Sequence, residues 1–495
     1  MGQHTTMPRH GMNKNRILSI QLLNPQVYQP GDVVIGTVTV KLPYGTPPSK
    51  TLRLKLLGRA KTKITRHAGH GTRIYRGRAF FVQVVCVLNS DTTATQWTSD
   101  GAQIWPFDLE IPQSHAQTPA SDKYSASHPF VSNTEPDIIS RYEMPSIFYY
   151  TGHSDLSGTT QEAYVEYWLE ASPSTTTATS DAASYPLFVR PRSMEHPTQD
   201  FDMGTRQYPY AITTQRLLPE FAADAKLTIR QRSRRFFAPS TVPRYAFRVL
   251  FNVAGTYQLD HPDPLPAKVW VAPLLSDGKT NIYNGDVSSL PPVRLVDLEA
   301  ELTSECHTRA PSSLLGTSET SKTTRYPFGR ATYNKGGNSG PVVPVSLDPE
   351  SSAFNNTSPL RKVQIPPPTD ALELGRILGL RVSHRTTEFM GRRRVESTGG
   401  FEKNNIYPSF ATYNIALEHK LSLNLRIECA GEQQRIEVRE VPLRILATAE
   451  EQARAREEEL GEEGMRRNYD DLQAAMENGE VVSSVLDVVA SVLGA

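Results

Sequence analysis

Apolar and polar residues alternate along most of this chain with a period of two, the pattern that β-strands produce. The clearest case is VVIGTVTV, residues 33–40, which follows a Pro30-Gly31 pair. Proline and glycine supply the backbone torsions of a tight turn, so this pair fixes where the strand begins. Gly36 inside the strand predicts a bend or a close backbone contact.

Strand patterns of this kind form two series. The first runs from Ile17 to about Pro191 and contains RILSIQLL, VVIGTVTVKL, TLRLKLLGRAKTKI, AFFVQVVCVL, IWPFDLEIP, AYVEYWLEA and SYPLFVRP. The second contains RYAFRVLFNV, AKVWVAP, VRLVDLEAELTSE, ALELGRILGLRVSH and two long alternating runs that end at Leu446. No helical period of comparable strength occurs in the first series, so we expect an all-β protein.

The two series predict a domain division. We expect a disordered N-terminal tail (1–14), a first β-sandwich (15–192), an arginine-rich linker with one plausible strand, KLTIRQRS (193–239), and a second β-sandwich (240–447). Within the second sandwich, Ser, Thr, Pro, Gly and Asn dominate residues 308–368. Such a composition buries too little apolar surface to offset chain entropy and predicts a disordered insertion. An acidic tail, helical or disordered, follows at 448–495.

Charge and cysteine content narrow the classes of function. The 495 residues include 53 Lys and Arg against 52 Asp and Glu, so no global charge favours nucleic acid as a partner. Three cysteines, Cys86, Cys306 and Cys429, are too few and too scattered for a disulfide framework or a zinc site and predict buried free thiols. The sequence has no apolar run that resembles a signal peptide or a membrane span, which predicts a cytoplasmic or nuclear location.

Catalytic motifs are missing from the sequence. The patterns G-x-S-x-G and H-E-x-x-H do not occur, and neither do the glycine patterns of phosphate loops. His70 lies in a Gly- and His-rich stretch, GHGTR, but its sequence neighbours include no carboxylate or cysteine that would complete a metal site. We therefore expect no enzymatic activity, no cofactor and no metal site.

A strongly basic stretch is the best candidate for binding chemistry. GRAKTKITRHAGHGTRIYRGR, residues 58–78, contains seven cations and no acidic residue. A hairpin would bring these cations together, and guanidinium groups bind phosphate or carboxylate in a bidentate manner. The candidate anion site consists of Arg59, Lys61, Lys63, Arg66, Arg73, Arg76 and Arg78. The alternative is a solvated hairpin whose charges keep an exposed sheet edge from aggregating.

Five pieces in order across about 150 residues resemble the arrestin N-terminal domain of fungal arrestin-like proteins. They are YQPGDVVIGTVTV, LRLKLLGRA, WPFDLEIP, PSIF and YVEYWLEA. The second series is compatible with the arrestin C-terminal domain, so the resemblance covers roughly Ile17 to Leu446. It implies two antiparallel immunoglobulin-like β-sandwiches of arrestin type. It also implies structural roles for the motif residues Tyr28, Pro30, Gly31, Asp32, Gly36, Pro106 and Phe107.

The resemblance also implies a function. Arrestin-like adaptors bind acidic or phosphorylated cytoplasmic tails of membrane proteins and couple them to endocytosis, trafficking or ubiquitination. The expected location is cytoplasmic, peripheral at the plasma membrane or endosome, with the basic stretch as the anion site. The arginine runs 230–235 and 392–394 are expected to be linker and loop charges, with contact to an anionic lipid surface as the alternative.

Family members recruit WW-domain ubiquitin ligases through PPxY or LPxY motifs, and this chain contains neither. The nearest variant is VPRY, formed by Val242, Pro243, Arg244 and Tyr245. Because Tyr245 opens a predicted strand, we favour packing over ligase binding.

Other functions and the two chain ends leave alternatives open. The runner-up function is a structural scaffold of the retromer-subunit kind, and a hydrolase with an unrecognised site ranks last. At one end of the sequence, Gly2 fits a loose myristoylation pattern, although an unordered tail is the favoured interpretation. At the other end, the acidic tail could occupy the basic stretch while residues 481–493 pair with a strand edge.

Overall fold

A computed structural model of the chain describes most of both strand series. The described residues are 17–23, 27–41, 50–68, 71–91, 93, 95–99, 101–115, 144–154, 158–173, 182–218, 221, 228–229, 242–275, 279–312, 316–333, 340–347, 366–383, 387–389, 392–394 and 406–455.

The first half of the chain folds into β-strands. They are β1 (Leu18–Leu22), β2 (Val27–Tyr28), β3 (Val33–Val40), β4 (Thr51–Ala68), β5 (Gly71–Asn89), β6 (Gln96–Trp97), β7 (Gln103–Glu110), β8 (Phe148–Ser154), β9 (Thr159–Pro173) and β10 (Ala183–Val189). One sheet has the order β1-β3-β7-β6, and the other has the order β2-β10-β9-β4-β5 with β8 also paired to β9. All of these pairings are antiparallel except the short one between β2 and β10.

The second half is also dominated by strands. They are β11 (Met203–Thr213), β12 (Arg244–Ala254), β13 (Thr256–Gln258), β14 (Ala267–Pro273), β15 (Val293–Ser312), β16 (Gly316–Thr332), β17 (Val342–Val343), β18 (Leu372–Glu373), β19 (Arg381–Val382), β20 (Thr387–Phe389), β21 (Arg392–Arg394), β22 (Phe410–Ala411), β23 (Ile415–Cys429) and β24 (Glu432–Leu446). Helical elements are short: 3-10 turns at Gln215–Leu217 and Val287–Ser289, and helix α1 at Leu374–Leu378.

The second-half strands form two larger sheets and one small sheet. One large sheet has the order β11-β12-β14-β18. The other has the order β13-β24-β23-β15-β16, with β17 beside β15 and β22 beside β23. Strands β19, β20 and β21 form the small sheet.

Two apolar cores join the sheets in pairs. Val38 and Trp105 of one first-half sheet are buried in the same cluster as Leu54 and Phe81 of the other. A second cluster likewise unites residues of the two larger second-half sheets. Two sheets that bury a common core form a sandwich-like arrangement. The prediction of an all-β protein with antiparallel sheets is confirmed.

The opening turn and strand match their pattern. Gly31 has φ +96°, which favours glycine, and the Asp32 side chain accepts a hydrogen bond of 2.7 Å from the Gln29 amide. Strand β3 alternates between buried and less buried positions. A Cβ atom at Gly36 would lie 2.5 Å from the Gln21 carbonyl oxygen, so the expected close contact is present.

Long hairpins bring the two halves of the chain together. Hairpin β4–β5 contacts β15, where Thr62 Oγ1 donates a hydrogen bond of 2.5 Å to the Arg309 carbonyl. Asn414 Nδ2 donates to the Ala60 carbonyl at 3.3 Å, and Gln161 Nε2 donates to the Cys306 carbonyl at 3.3 Å. Four second-half residues complete the first core: Cys306, Tyr413, Ile415 and Leu417.

The expectation of a disordered insertion is wrong for β16. This strand pairs with β15 from Asp297–Thr332 to Ser312–Gly316. Composition alone misled because an edge strand needs few apolar residues. Threonine is favoured in strands, and Phe328 and Ala331 supply the buried contacts. The neighbouring range 348–365 lies outside the described residues.

The expected linker also contains structure. Strand β11 pairs with β12 along its whole length, and Tyr208 and Tyr210 pack against the second core. Its first half is polar, and its two tyrosines flank a proline, which hid the strand pattern. Of the expected strand KLTIRQRS, residues 228 and 229 alone are described.

The tail begins as a short helical segment at 450–455. The Glu450 amide donates to the Met194 carbonyl at 2.9 Å, which fixes the start of this segment on the residues that follow β10. Residues 1–16 and 456–495 lie outside the described ranges, so the expectations for Gly2 and for residues 481–493 fall outside them too.

Candidate anion-binding face

The basic stretch forms the hairpin of β4 and β5. Directly opposed residues share one face of a sheet, and neighbours along a strand alternate between faces. Lys61 opposes Arg78 and Lys63 opposes Arg76, so these four cations lie on one face. We call this the outer face, because the alternate face carries Thr62, which contacts the second half of the chain.

Arg66 and Arg73 oppose each other on the alternate face, and both are exposed. Arg66 Nη2 donates to the Glu319 carbonyl at 2.8 Å and is thereby drawn toward β16. The structure therefore divides the seven predicted anion-site residues between two faces of the hairpin instead of bringing them together.

A row of carboxylates on β9 neutralises part of the outer face. Lys55 Nζ lies 2.6 Å from Glu170 Oε1, and Lys63 Nζ lies 3.2 Å from Glu162 Oε1. Between them, Arg59 pairs with Glu166. We call this row of three ion pairs the charge ladder. Its acidic partners lie about a hundred residues away in sequence, so the acid-free hairpin sequence alone gave no sign of them.

Arg59 is a structural cation. Its side chain is buried, its Nε donates to Glu166 Oε1 at 2.6 Å, and its guanidinium lies 4.6 Å from the centre of the Trp168 ring. Burial raises the pKa of Glu166, whereas the adjacent Arg59 charge lowers it. The assignment of Arg59 to an accessible anion site is therefore wrong, and Lys63 is likewise engaged by a carboxylate.

The outer face still carries exposed cations. Arg76 and Arg78 are exposed on β5. The Arg78 guanidinium lies 5.7 Å from the centre of the Phe80 ring, and Lys61 Nζ lies 5.3 Å from that of Tyr164. Arg76 and Arg78 are two residues apart, or about 7 Å along a strand. We define Lys61, Arg76 and Arg78 as the candidate anion-binding face.

The VPRY sequence is not presented as a ligand. Tyr245 is fully buried in β12 opposite Ile212, and Val242 is buried as well. Burial raises the pKa of the Tyr245 phenol. A WW domain binds an exposed, extended segment. The tyrosine that follows Pro243 and Arg244 is buried, so it is not accessible to such a domain. This placement agrees with the packing interpretation.

The other motif residues lie in the first sandwich. Tyr28, Pro30 and Phe107 are buried, whereas Pro106 is exposed on β7. A Cβ atom at Gly36 would lie 2.7 Å from Phe107 Cζ, so these two motif positions are packed against each other. Of the two other arginine runs, 230–235 lies outside the described residues and 392–394 forms β21.

One Ser–His pair has the spacing of a nucleophile and a base. Ser304 Oγ lies 2.7 Å from His419 Nδ1, and His419 Nε2 lies 2.9 Å from the Tyr407 carbonyl. The carbonyl can only accept, so Nε2 carries the proton and Nδ1 accepts from the serine. Burial lowers the pKa of His419 to about 4. Both side chains are buried, so the pair stabilises the interior and is not positioned to meet a substrate.

The described residues of the second half of the chain line clefts that include the following two. One of ≈ 850 Å³ includes Asp202, Asp263 and Lys268, and one of ≈ 1000 Å³ includes Phe221 and Pro243. In the described ranges, no group of three His, Cys, Asp or Glu side chains is placed to hold a metal ion.

Comparison with protein-family models and with curated proteins finds no match for this chain. No helix within the described ranges has both the length and the apolar character needed to cross a bilayer.

Proposed function

We propose that this protein is a non-catalytic adaptor of the arrestin type that binds acidic or phosphorylated cytoplasmic tails of membrane proteins. The observation that carries the proposal is the candidate anion-binding face. There, Arg76 and Arg78 are exposed on one strand while the ladder carboxylates are engaged by Lys55, Arg59 and Lys63. The paired sheets and the placement of the Gly36 motif support the arrestin type.

The proposal includes a domain division and a location. The two domains are 15–192 and 240–447, the second joined by strand β11 (Met203–Thr213), and the hairpin contacts described above lie between them. The adaptor acts in the cytoplasm, peripheral at the plasma membrane or endosome. Because Tyr245 is buried, coupling to a ubiquitin ligase would use a surface other than VPRY.

Binding would rest on charge-assisted hydrogen bonds. Each guanidinium offers paired N–H donors that match the oxygens of a phosphate or a carboxylate. The ladder beside the site contributes a second effect, because its fixed carboxylates repel an anion that approaches Lys63. An acidic peptide would therefore be directed toward the β5 side of the hairpin, where the exposed arginines lie.

Peptide binding to the intact chain tests this function. The probe is an acidic peptide that carries phosphoserine, compared with its unphosphorylated form. Charge-assisted hydrogen bonds contribute about 1.5–3 kcal/mol each, so Arg76→Glu with Arg78→Glu should weaken binding at least tenfold. Arg439→Glu replaces an exposed arginine of β24 and should leave the affinity unchanged. Equal affinity of the double variant and the wild type would contradict the proposal.

A scaffold that joins sorting or coat proteins is the second candidate. It is favoured by three exposed apolar side chains on the outer side of the β1–β3 sheet, namely Leu23, Val33 and Ile35. The Leu23 amide donates to the Ile35 carbonyl at 3.0 Å, so these residues form one patch.

Proximity labelling in cells separates the adaptor from the scaffold. Ile35→Lys would reduce the labelling of sorting or coat proteins if the protein is a scaffold. Arg76→Glu with Arg78→Glu would reduce the labelling of membrane-protein cargo if it is an adaptor.

A further inference from the structure

Strand β5 lies at the end of its sheet. In the described part of the chain, β4 is the one strand paired with β5. At Gly77 one face of β5 lies against the second half of the chain, because a Cβ atom there would lie 2.8 Å from the Arg309 carbonyl oxygen. Further along, Val85 is 48% exposed and Val87 is 57% exposed. The section from Gln83 to Asn89, which we call the β5 edge, therefore presents both backbone and apolar side chains.

The sequence of this edge lacks the usual protection. From Ala79 to Ser90 it reads AFFVQVVCVLNS, without a charged residue or a proline. Natural edge strands carry lysine, proline or a bulge, or are very short, because their unpaired amides and carbonyls are a template for another strand. The one register shift between β4 and β5 falls between Gly58 and Arg59, where β5 carries the extra residue Phe81, so it precedes the exposed section and does not interrupt it.

We propose that the β5 edge pairs antiparallel with the β5 edge of a second copy of this chain, which joins two sheets into one. A two-fold contact places each residue near its own copy, so an uncharged section meets no like-charge repulsion. Antiparallel pairing also brings the Arg78 end of one copy to the Asp91 end of the other, and both residues are exposed. These opposite charges flank the apolar section and favour the antiparallel direction.

The pairing fixes which side chains meet. Val85 and Val87 share one face and would pack against the same valines of the other copy. Cys86 points to the opposite face, so the two Cys86 side chains would approach each other near the two-fold axis. A section of seven residues is about 23 Å long, and such a contact is smaller than a standard stable interface. We therefore expect a reversible dimer with a Kd on the order of micromolar.

Sedimentation of the full chain over a range of concentrations is the first test. The wild type should pass from monomer to dimer, and Val87→Lys should remain monomeric, because lysine on an edge opposes pairing. Val342→Lys is the matched control, since Val342 is 44% exposed on β17 and lies away from the β5 edge. A wild type that stays monomeric, or a dimer that survives Val87→Lys, would overturn the proposal. A melting curve for each variant checks that it is folded.

Cysteine crosslinking is the second test and reads the contact directly. Cys306 and Cys429 are buried and Cys86 is partly exposed, so a short bis-maleimide reports on Cys86. Covalent dimers should form with the wild type and be lost with Cys86→Ser. Hydrogen exchange completes the test: if the β5 amides that point away from β4 were protected in a monomer, another segment of this chain would cover the edge, which excludes a second copy. The inference does not rest on the proposed function.

Discussion

Arg59 and Glu166 face each other directly across β4 and β9, both side chains are buried, and the Arg59 guanidinium lies over the ring of Trp168. The ion pair is the centre of the charge ladder. The pair is shielded from water, whereas Arg76 and Arg78 of the same hairpin are exposed.

Removal of one partner of this pair should be costly. Arg59→Met leaves the Glu166 carboxylate buried without its cation, and such losses cost about 3–5 kcal/mol. Lys63→Met is the matched control. Its partner Glu162 is less buried, and partly exposed pairs contribute at most about 1 kcal/mol. Urea denaturation measures both. Equal losses for the two variants would show that the buried pair has no special role.

His419 predicts a loss of stability in mild acid. Burial lowers its pKa in the folded chain to about 4, below the ordinary value near 6.5. The unfolded chain therefore binds the proton first, and stability falls as the pH drops from about 6.5 to 4, by up to roughly 3 kcal/mol. Denaturation at several pH values tests this. His419→Gln should flatten the slope in this window, and an unchanged slope would contradict the assignment.

Asp297 predicts a separate loss at lower pH. Hydrogen bonds from Arg330 and Arg426 hold the pKa of this carboxyl well below its usual range. A depressed pKa gives stability that is complete above about pH 5 and is lost as the pH falls through 4 and below. Asp297→Asn should lower the free energy of unfolding by roughly 2–3 kcal/mol at neutral pH. It should also remove the loss of stability below about pH 4. A variant as stable as the wild type at neutral pH would refute the prediction.

Gly36 should tolerate no side chain. A Cβ atom there would lie 2.5 Å from the backbone oxygen of Gln21, which cannot move without displacing β1. Gly36→Ala should therefore destabilise the chain by about 1–3 kcal/mol or more. Thr37→Ala, at the next position on the opposite face, is the control and should cost less than about 1 kcal/mol. Thermal unfolding of the two variants provides the comparison.

The sequence pattern predicts a strand where one of its faces is apolar, as in β3 and β15. It was missed in β16, where threonine and serine dominate, and in β11, where aromatics and a proline hide the alternation. Pairing across strands far apart in sequence was harder to see. The ladder did leave a signal: Lys55, Arg59 and Lys63 are spaced by four, and so are their glutamates on β9. Equal spacing of opposite charges on two strands can indicate that they pair antiparallel.

The contact of Thr62 with Arg309 has a consequence for how the chain folds. Tyr413 and Ile415 complete a core that otherwise belongs to the first half. The ring centres of Phe148 and Phe410 lie 4.9 Å apart. Neither half can be excised without exposing this surface. The chain is therefore expected to unfold as one cooperative unit. During synthesis, the first half alone would form an intermediate whose core stays incomplete until β15 and β23 have been made and have packed against it.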